Sequence, residues 1–245
     1  MNNEPTIGLV VIGDEILSAQ IQEKNALLAI PKLRSAGVFL KRLSVITDEP
    51  EDIRETIKAF SAQYTWVITS GGVGPTHDDQ TMASIASAFN TELHRPKELI
   101  DLLKQYIKPP LHEGYLRLAD VPKGSELIYS NHHKSPVVLF KNIFICPGIP
   151  NLFETKLKTI LEKIGSTPFF EASLFLSLDE PHLATQLRSF AQENTDVQIG
   201  SYPKLTGEWK TRLTVKSKDK DNVTRVSSQL EIMFSSHLLS KKQNF

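Results

Sequence analysis

Residues Ile7–Ile12 (IGLVVI) form an unbroken apolar run, rich in β-branched side chains, that stops at Gly13. A strand with one wet face alternates polar and apolar residues; a strand with no polar position has both faces covered. That demand confines the chain to a parallel sheet with helices packed on it. The following segments meet it. A helical pattern runs over Glu23–Ala36 and is closed by Gly37, with Pro31 inside it expected to kink or shorten it. Val38–Ile46 reads as a second strand. Pro50–Ala62 reads as a helix: Pro50 suits a first helical position, Glu51 and Asp52 suit the positive helix end, and Ile53, Ile57 and Phe60 share a face. Trp66–Thr69 is a third strand, followed by a glycine-rich segment and a helix that runs to Phe89. This β-α-β-α-β order predicts an α/β fold: an open, mostly parallel sheet with helices on both faces.

Further along, Glu92–Leu118 looks helical but is broken by Pro109–Pro110. Glu126–Tyr129, Val137–Leu139 and Ile143–Cys146 read as strands, and Asn151 is placed to cap a helix over Leu152–Ile164 that Gly165 ends. The pattern changes near Ser166–Pro168. We therefore expect residues 1–165 to form one α/β domain and residues 166–245 a small α+β domain with a tail. The small domain reads as β-α-β-β-α: Phe169–Leu178, Glu180–Glu193, Val197–Tyr202, Trp209–Lys216 and Val223–Phe234. Ser235–Phe245 is polar and lysine-bearing and is expected to fray.

Charge narrows the function classes. Lys+Arg and Asp+Glu both number 28, so the chain has no general electrostatic reason to hold nucleic acid or an anionic membrane. The single cysteine, Cys146, excludes an intramolecular disulfide and a cysteine-based zinc site, and suits a small core residue. The polar start of the chain carries no signal-peptide pattern, and no apolar stretch approaches the roughly 20 residues of a membrane span. A cytoplasmic protein acting on a small molecule is the expectation.

In an open parallel sheet, ligands bind beyond the carboxyl ends of the strands. Four such ends have unusual chemistry: Gly13-Asp14-Glu15, Thr47-Asp48-Glu49, Ser70–Thr81 (SGGVGPTHDDQT) and Pro147-Gly148-Ile149-Pro150. The third is the most informative. Gly71, Gly72 and Gly74 let the backbone turn sharply and approach a ligand; successive amides can cup an anion, and the next helix adds its positive end. Asp78 and Asp79 follow side by side. A carboxylate about 4 Å from a phosphate oxygen is repelled by roughly 4 kcal/mol at an effective dielectric near 20. If the ligand is a phosphate, a divalent cation between the two reverses the sign, and oxygen ligands suit magnesium or manganese. The plainer reading makes Asp78, Asp79 or Thr81 helix caps.

SGGVGPTHDDQT closely resembles the signature of molybdopterin-binding domains, the MoaB/Mog, CinA and FAD-synthase group. GDEIL with Asn25 downstream resembles the opening of CinA-type proteins, CPGIP at 146–150 a later segment of that family, and Gly200-Ser201-Tyr202-Pro203 an element of the small domain of eukaryotic-type FAD synthases. The resemblance spans about residues 6–235. It implies a Mog-like three-layer fold and one of two activities: binding a pterin phosphate in molybdenum-cofactor assembly, or metal-dependent pyrophosphatase chemistry on ADP-ribose or FAD, with magnesium, manganese or cobalt. The GSYP and CPGIP segments favour the second branch, and His133-Lys134-Ser135-Pro136, which stands where CinA-type proteins carry a GTAPG-like stretch, favours the FAD-synthase type within it. A non-catalytic regulatory or interaction module is the third reading. Relatives of this kind commonly assemble, so a homo-oligomer is expected.

The resemblance assigns Asp79 a catalytic or metal-binding role, with Asp78 beside it on the metal, and makes Asp48 catalytic. An N-cap for the Pro50 helix is the alternative for Asp48. Gly71, Gly72 and Gly74 are expected to bind ligand through their amides. Thr76, His77, Gly13, Asp14, Glu15, Asn25, Pro147 and Gly148 are expected to line the same pocket. The pair His132–His133 is a poor metal site, because adjacent side chains in a strand point to opposite faces.

Overall fold

The computed structural model describes residues 5–244 apart from 109, 132 and 166, and divides into two compact units, residues 1–166 and 167–245. In the first unit, β1 (Thr6–Ile12) leads through a one-turn helix α1 (Asp14–Leu17) to α2 (Asn25–Ser35), β2 (Phe39–Ile46), α3 (Pro50–Gln63) and β3 (Trp66–Ser70). Next come α4 (Thr81–Ala88), the short strand β4 (Leu93–His94), α5 (Lys97–Tyr106), α6 (Glu113–Arg117) and β5 (Val121–Pro122), which pairs with β4. The unit ends with β6 (Glu126–Ser130), β7 (His133–Phe140), β8 (Ile143–Ile145) and α7 (Pro150–Ile164).

The main sheet has the order β2-β1-β3-β8-β7-β6. β2, β1, β3 and β8 are parallel, and β7 runs against both β8 and β6. Alternate residues of the central strands feed two separate cores. Val10, Ile12, Val67 and Ile143 pack with Ile53, Ile57 and Phe60 of α3 and Ile85 of α4 on one face. Ile7, Leu9, Ile68 and Phe144 pack with Ala26, Ala29 and Leu33 of α2 and Phe153, Leu157 and Ile160 of α7 on the other. The result is three layers, helix–sheet–helix, as the two-sided apolar run of β1 requires. Cys146 is fully buried and its thiol is pushed up to about 12 by that burial, which leaves it an inert core group.

Two features of this unit differ from the expectation. α2 starts at Asn25 rather than Glu23 and ends at Ser35, with Pro31 inside it. Asn151 does not cap the last helix: Pro150 occupies the first turn and Ile149 is the capping position, with no side-chain hydrogen bond. The segment 92–118 holds two helices, α5 and α6, before and after the proline pair, and one short strand, β4, ahead of them. The side chains of His132 and His133 lie outside what is described.

The second unit comprises β9 (Phe170–Leu176), α8 (Glu180–Glu193), β10 (Gln198–Pro203), β11 (Thr211–Ser217), α9 (Lys220–Met233), a 3₁₀ turn (Ser235–His237) and β12 (Leu238–Asn244). Its antiparallel sheet has the order β10-β11-β9-β12, a split β-α-β arrangement with α8 and α9 packed against it. Asp219 caps α9, accepting from the amides of Asp221 and Asn222. The expected frayed tail is instead the strand β12. Its polar side chains gave no apolar signal, yet its backbone pairs antiparallel with β9 over Leu238–Asn244. Among the described residues, no helix is long and apolar enough to cross a membrane.

Candidate functional site

The four strand ends meet at one edge of the main sheet. The Gly13 amide donates to the Ile46 carbonyl at 3.1 Å, and the Asp14 amide donates to Asp48 Oδ2 at 2.9 Å, joining the β1 and β2 ends. The Gly71 amide donates to the Cys146 carbonyl at 3.1 Å, joining the β3 and β8 ends. Asn25, 5% exposed, closes the group: its Nδ2 donates to Ser70 Oγ and to the Gly148 carbonyl, each at 2.7 Å, tying the start of α2 to both segments. Its Oδ1 is buried with no partner among the described residues.

The glycine loop is built by contacts that leave no room for side chains. Gly71 has φ +112°, and a Cβ there would collide with the Ile12 carbonyl oxygen. Gly72 has φ +63°, and its Cβ would strike Thr81 Oγ1. Both values lie where L side chains are strained. Thr81, fully buried, fastens the loop back on itself: its hydroxyl donates to the Gly71 carbonyl and its amide to the Gly72 carbonyl, both at 2.9 Å. Thr81, expected at most to cap a helix, and Ser70, expected only to open the segment, are positioning residues. Their signal was a polar residue at each end of the loop, where an apolar strand and an apolar helix begin and end.

Asp79 is occupied within the loop. It accepts from the amides of Gly74 (2.6 Å) and Thr76 (2.9 Å) and from the Thr76 hydroxyl. The expectation for Asp79 was direct catalysis or metal binding; the geometry makes it first a strut that shapes the turn. Gly71 and Gly74, expected to offer amides to a ligand, likewise spend theirs on Cys146 and Asp79. The amides of Gly72 and Val73 donate to no acceptor among the described residues, so an anion cup here consists of those two. Val73 was absent from the sequence reading because its contribution is backbone alone.

Asp48 is half-buried and does not cap α3; Glu49 holds the capping position, and Asp52 accepts from the Thr47 amide and hydroxyl. Burial raises the Asp48 carboxyl above its ordinary range; the Asp14 amide opposes this, and the charges of Glu15, Asp14 and Asp78 add to the rise. Asp78 is fully exposed, and hydrogen bonding from Thr76 holds its carboxyl below the ordinary range. Asp48 Oδ1 lies 3.5 Å from where a Cβ on Gly72 would stand, which puts this carboxylate against the glycine loop. His77 is exposed, 3.9 Å from Asp78. Thr76 is exposed with its hydroxyl on Asp79, and Pro147 is half-buried beside an exposed Gly148. The edge thus holds three carboxylates close enough to act on Asp48, beside the free amides of Gly72 and Val73.

Three comparisons bear on this arrangement. Residues 8–166 match the family described as a probable molybdopterin binding domain, and residues 168–243 match the FAD synthase middle domain. The chain is 31% identical to a probable FAD synthase of Caenorhabditis briggsae, over 96% of this chain and 50% of that protein. It therefore spans about half the length of the FAD synthase relatives it matches. It is also 31% identical to a protein of Archaeoglobus fulgidus, over 91% of this chain and 95% of that one. The crystal structure of the CinA protein of Thermoplasma acidophilum aligns with a TM-score of 0.60 at 24% identity, covering 66% of this chain and 99% of that chain; it speaks to the fold alone. With its Mog-like three-layer unit followed by a small antiparallel sheet, this chain belongs to the molybdopterin-binding domain family and carries a FAD synthase middle domain after it.

Proposed function

We propose that the first unit is a metal-dependent nucleotide pyrophosphatase that cleaves FAD or ADP-ribose at the phosphoanhydride. The observation that carries it is the meeting of the free Gly72 and Val73 amides with Asp48, whose carboxyl is raised by burial and by three neighbouring carboxylates. The family match and the names of the FAD synthase relatives support a nucleotide ligand.

The donor set suits a magnesium-like ion. Asp14, Glu15 and Asp78 each repel the Asp48 carboxylate, and a divalent cation relieves that repulsion. No three His, Cys, Asp or Glu among the described residues are grouped to hold a metal alone. That fits an ion bound by one or two carboxylates with water and substrate phosphate completing its shell. Asp48 and Asp78 would hold it, because Asp79 is engaged with Gly74 and Thr76. When bound, the ion supplies positive charge against the diphosphate and acidifies nearby water.

The chain's own residues do the rest. The Gly72 and Val73 amides hold a phosphate oxygen. Asp48 Oδ2 is held by the Asp14 amide, so Oδ1 is the atom that takes a proton from the attacking water. Asp79 keeps the loop in the shape these contacts need.

Incubating the full chain with FAD, ADP-ribose and NAD in turn, each with magnesium, manganese or cobalt, and reading AMP by chromatography tests the proposal. Metal-dependent AMP release that is lost in Asp48→Asn is the expected result. No AMP from any pair overturns it, and saturable pterin-phosphate binding without turnover would then place the chain with the pterin binders.

A further inference from the structure

The sheet of residues 167–245 has a second face, turned away from α8 and α9. Ala172, Leu174 and Leu176 of β9 point inward and are fully buried, so Ser173 and Phe175 point outward. Strand register then sets two outward rows: Tyr202, Arg212 and Phe175 in one, and Gly200, Thr214 and Ser173 in the next. The second row is small, and Tyr202 leans over it. A Cβ on Gly200 would stand 3.0 Å from the Tyr202 ring and hydroxyl and 2.9 Å from Thr214 Oγ1. Thr214 is only 1% exposed beneath this cover, whereas Tyr202 is 44% exposed. Trp209 meets the Phe175 ring edge-to-face at 5.3 Å.

Each ring on this face carries a cation. Arg212 Cζ lies 5.1 Å from the Tyr202 ring centre, Lys242 Nζ 5.6 Å from that of Phe175, and Lys204 Nζ 4.6 Å from that of Trp209. Among the described residues, none of the three has a carboxylate partner. Other lysines of the unit do: Lys210 pairs with Asp179, Lys216 with Glu171 and Lys241 with Glu231. The Arg212 Nε is also buried without an acceptor. An exposed ring, Tyr202, with two half-buried rings and three cations without carboxylate partners around it, suits a ligand that is flat at one end and anionic at the other. An apolar ligand would leave the cations unused, and a bare anion would leave the rings unused.

We infer that this face is a second ligand site, binding a nucleoside phosphate with its base stacked on Tyr202 and its phosphate on Arg212 and Lys242. Aromatic side chains on an open four-stranded sheet are a sequence-tolerant platform for bases. The site is independent of the pyrophosphatase reading, whose residues all lie in the first unit.

The chain has two tryptophans, so Trp66→Phe leaves Trp209 as the only indole reporter. Titrating this full-length variant with AMP should quench Trp209 saturably. Adenosine should bind at least tenfold more weakly, and inorganic phosphate should not quench. Tyr202→Ala and Arg212→Gln should each raise the AMP dissociation constant tenfold or more. Lys242→Gln, on an edge strand, should raise it severalfold and carries the test if either of those variants unfolds. No saturable quenching by AMP, adenosine binding as well as AMP, quenching by single-stranded RNA alone, or affinity unchanged in all three variants would each overturn the site. Loss of AMP release from FAD leaves this result untouched, because Trp209 reports only on the sheet face.

Discussion

The two units present their chemistry on different parts of a sheet. In residues 1–166 both faces of the sheet are covered by helices, and the reactive groups stand at the ends of the strands, on turns set by backbone contact. In residues 167–245 the helices cover one face, and the polar and aromatic groups stand on the other, set by strand register. The first arrangement is rigid, because a turn such as Gly71 tolerates no added atom. The second rests on side chains that can shift. Parallel strands with both faces covered leave only their ends for function; an antiparallel sheet covered on one side leaves a face.

The largest test of this contrast is a pair of glycine substitutions. Gly71→Ala meets a backbone carbonyl at positive φ and should destabilise the first unit by roughly 3–5 kcal/mol in urea melts. Gly200→Ala meets a hydroxyl and a ring that can move, and should cost about 1 kcal/mol. Equal losses would break the comparison. Next, Leu9→Ala and Leu174→Ala, both fully buried, should each cost about 2–5 kcal/mol. Each should lower its own unfolding transition, resolved by a probe on Trp66 or Trp209; a single shared shift would show that the units unfold as one.

Asp79→Ala removes the acceptor for two loop amides and a hydroxyl, and should cost about 1–3 kcal/mol. AMP release should fall with it, and Asp79→Asn should recover part of the stability. The smallest effect is at Asp48. Its folded-state pKa lies above the ordinary value of 3.8, so its contribution is fully present below that value and is lost as pH rises through the folded one. Asp48→Asn should therefore raise stability at neutral pH by on the order of 0.5 kcal/mol after solvent screening, and by nothing near pH 3. Thermal melts at the two pH values check the sign. A loss of stability at neutral pH would mean that the carboxylate is held by attraction.

The sequence carried the layers of the first unit because they rest on apolar periodicity. IGLVVI needs two covered faces whatever surrounds it, and the helix over Pro50 shows its buried stripe in Ile53, Ile57 and Phe60. It also located the glycine loop, since three glycines between a strand and a helix have few other uses. It could not divide the loop's amides between structure and ligand. Gly71 and Gly74 look like Gly72 in a string of letters, and only the approach of Cys146 and Asp79 separates them. Nor could it find β12. That strand is held chiefly by main-chain pairing to β9; of its residues LLSKKQN only Leu238 packs against the core, too little to make an apolar pattern.

That last strand matters for how the protein behaves among other copies of itself. β9, with the sequence FEASLFL, is an apolar interior strand only because β12 lies along its outer side. β12 turns a sticky edge into a hydrophilic one: Ser240, Lys242 and Asn244 alternate with Lys241, which pairs with Glu231. Charged, lysine-bearing borders resist strand-to-strand association between molecules. Cutting the chain after His237 would strip β9 of this guard and offer a ready template for aggregation.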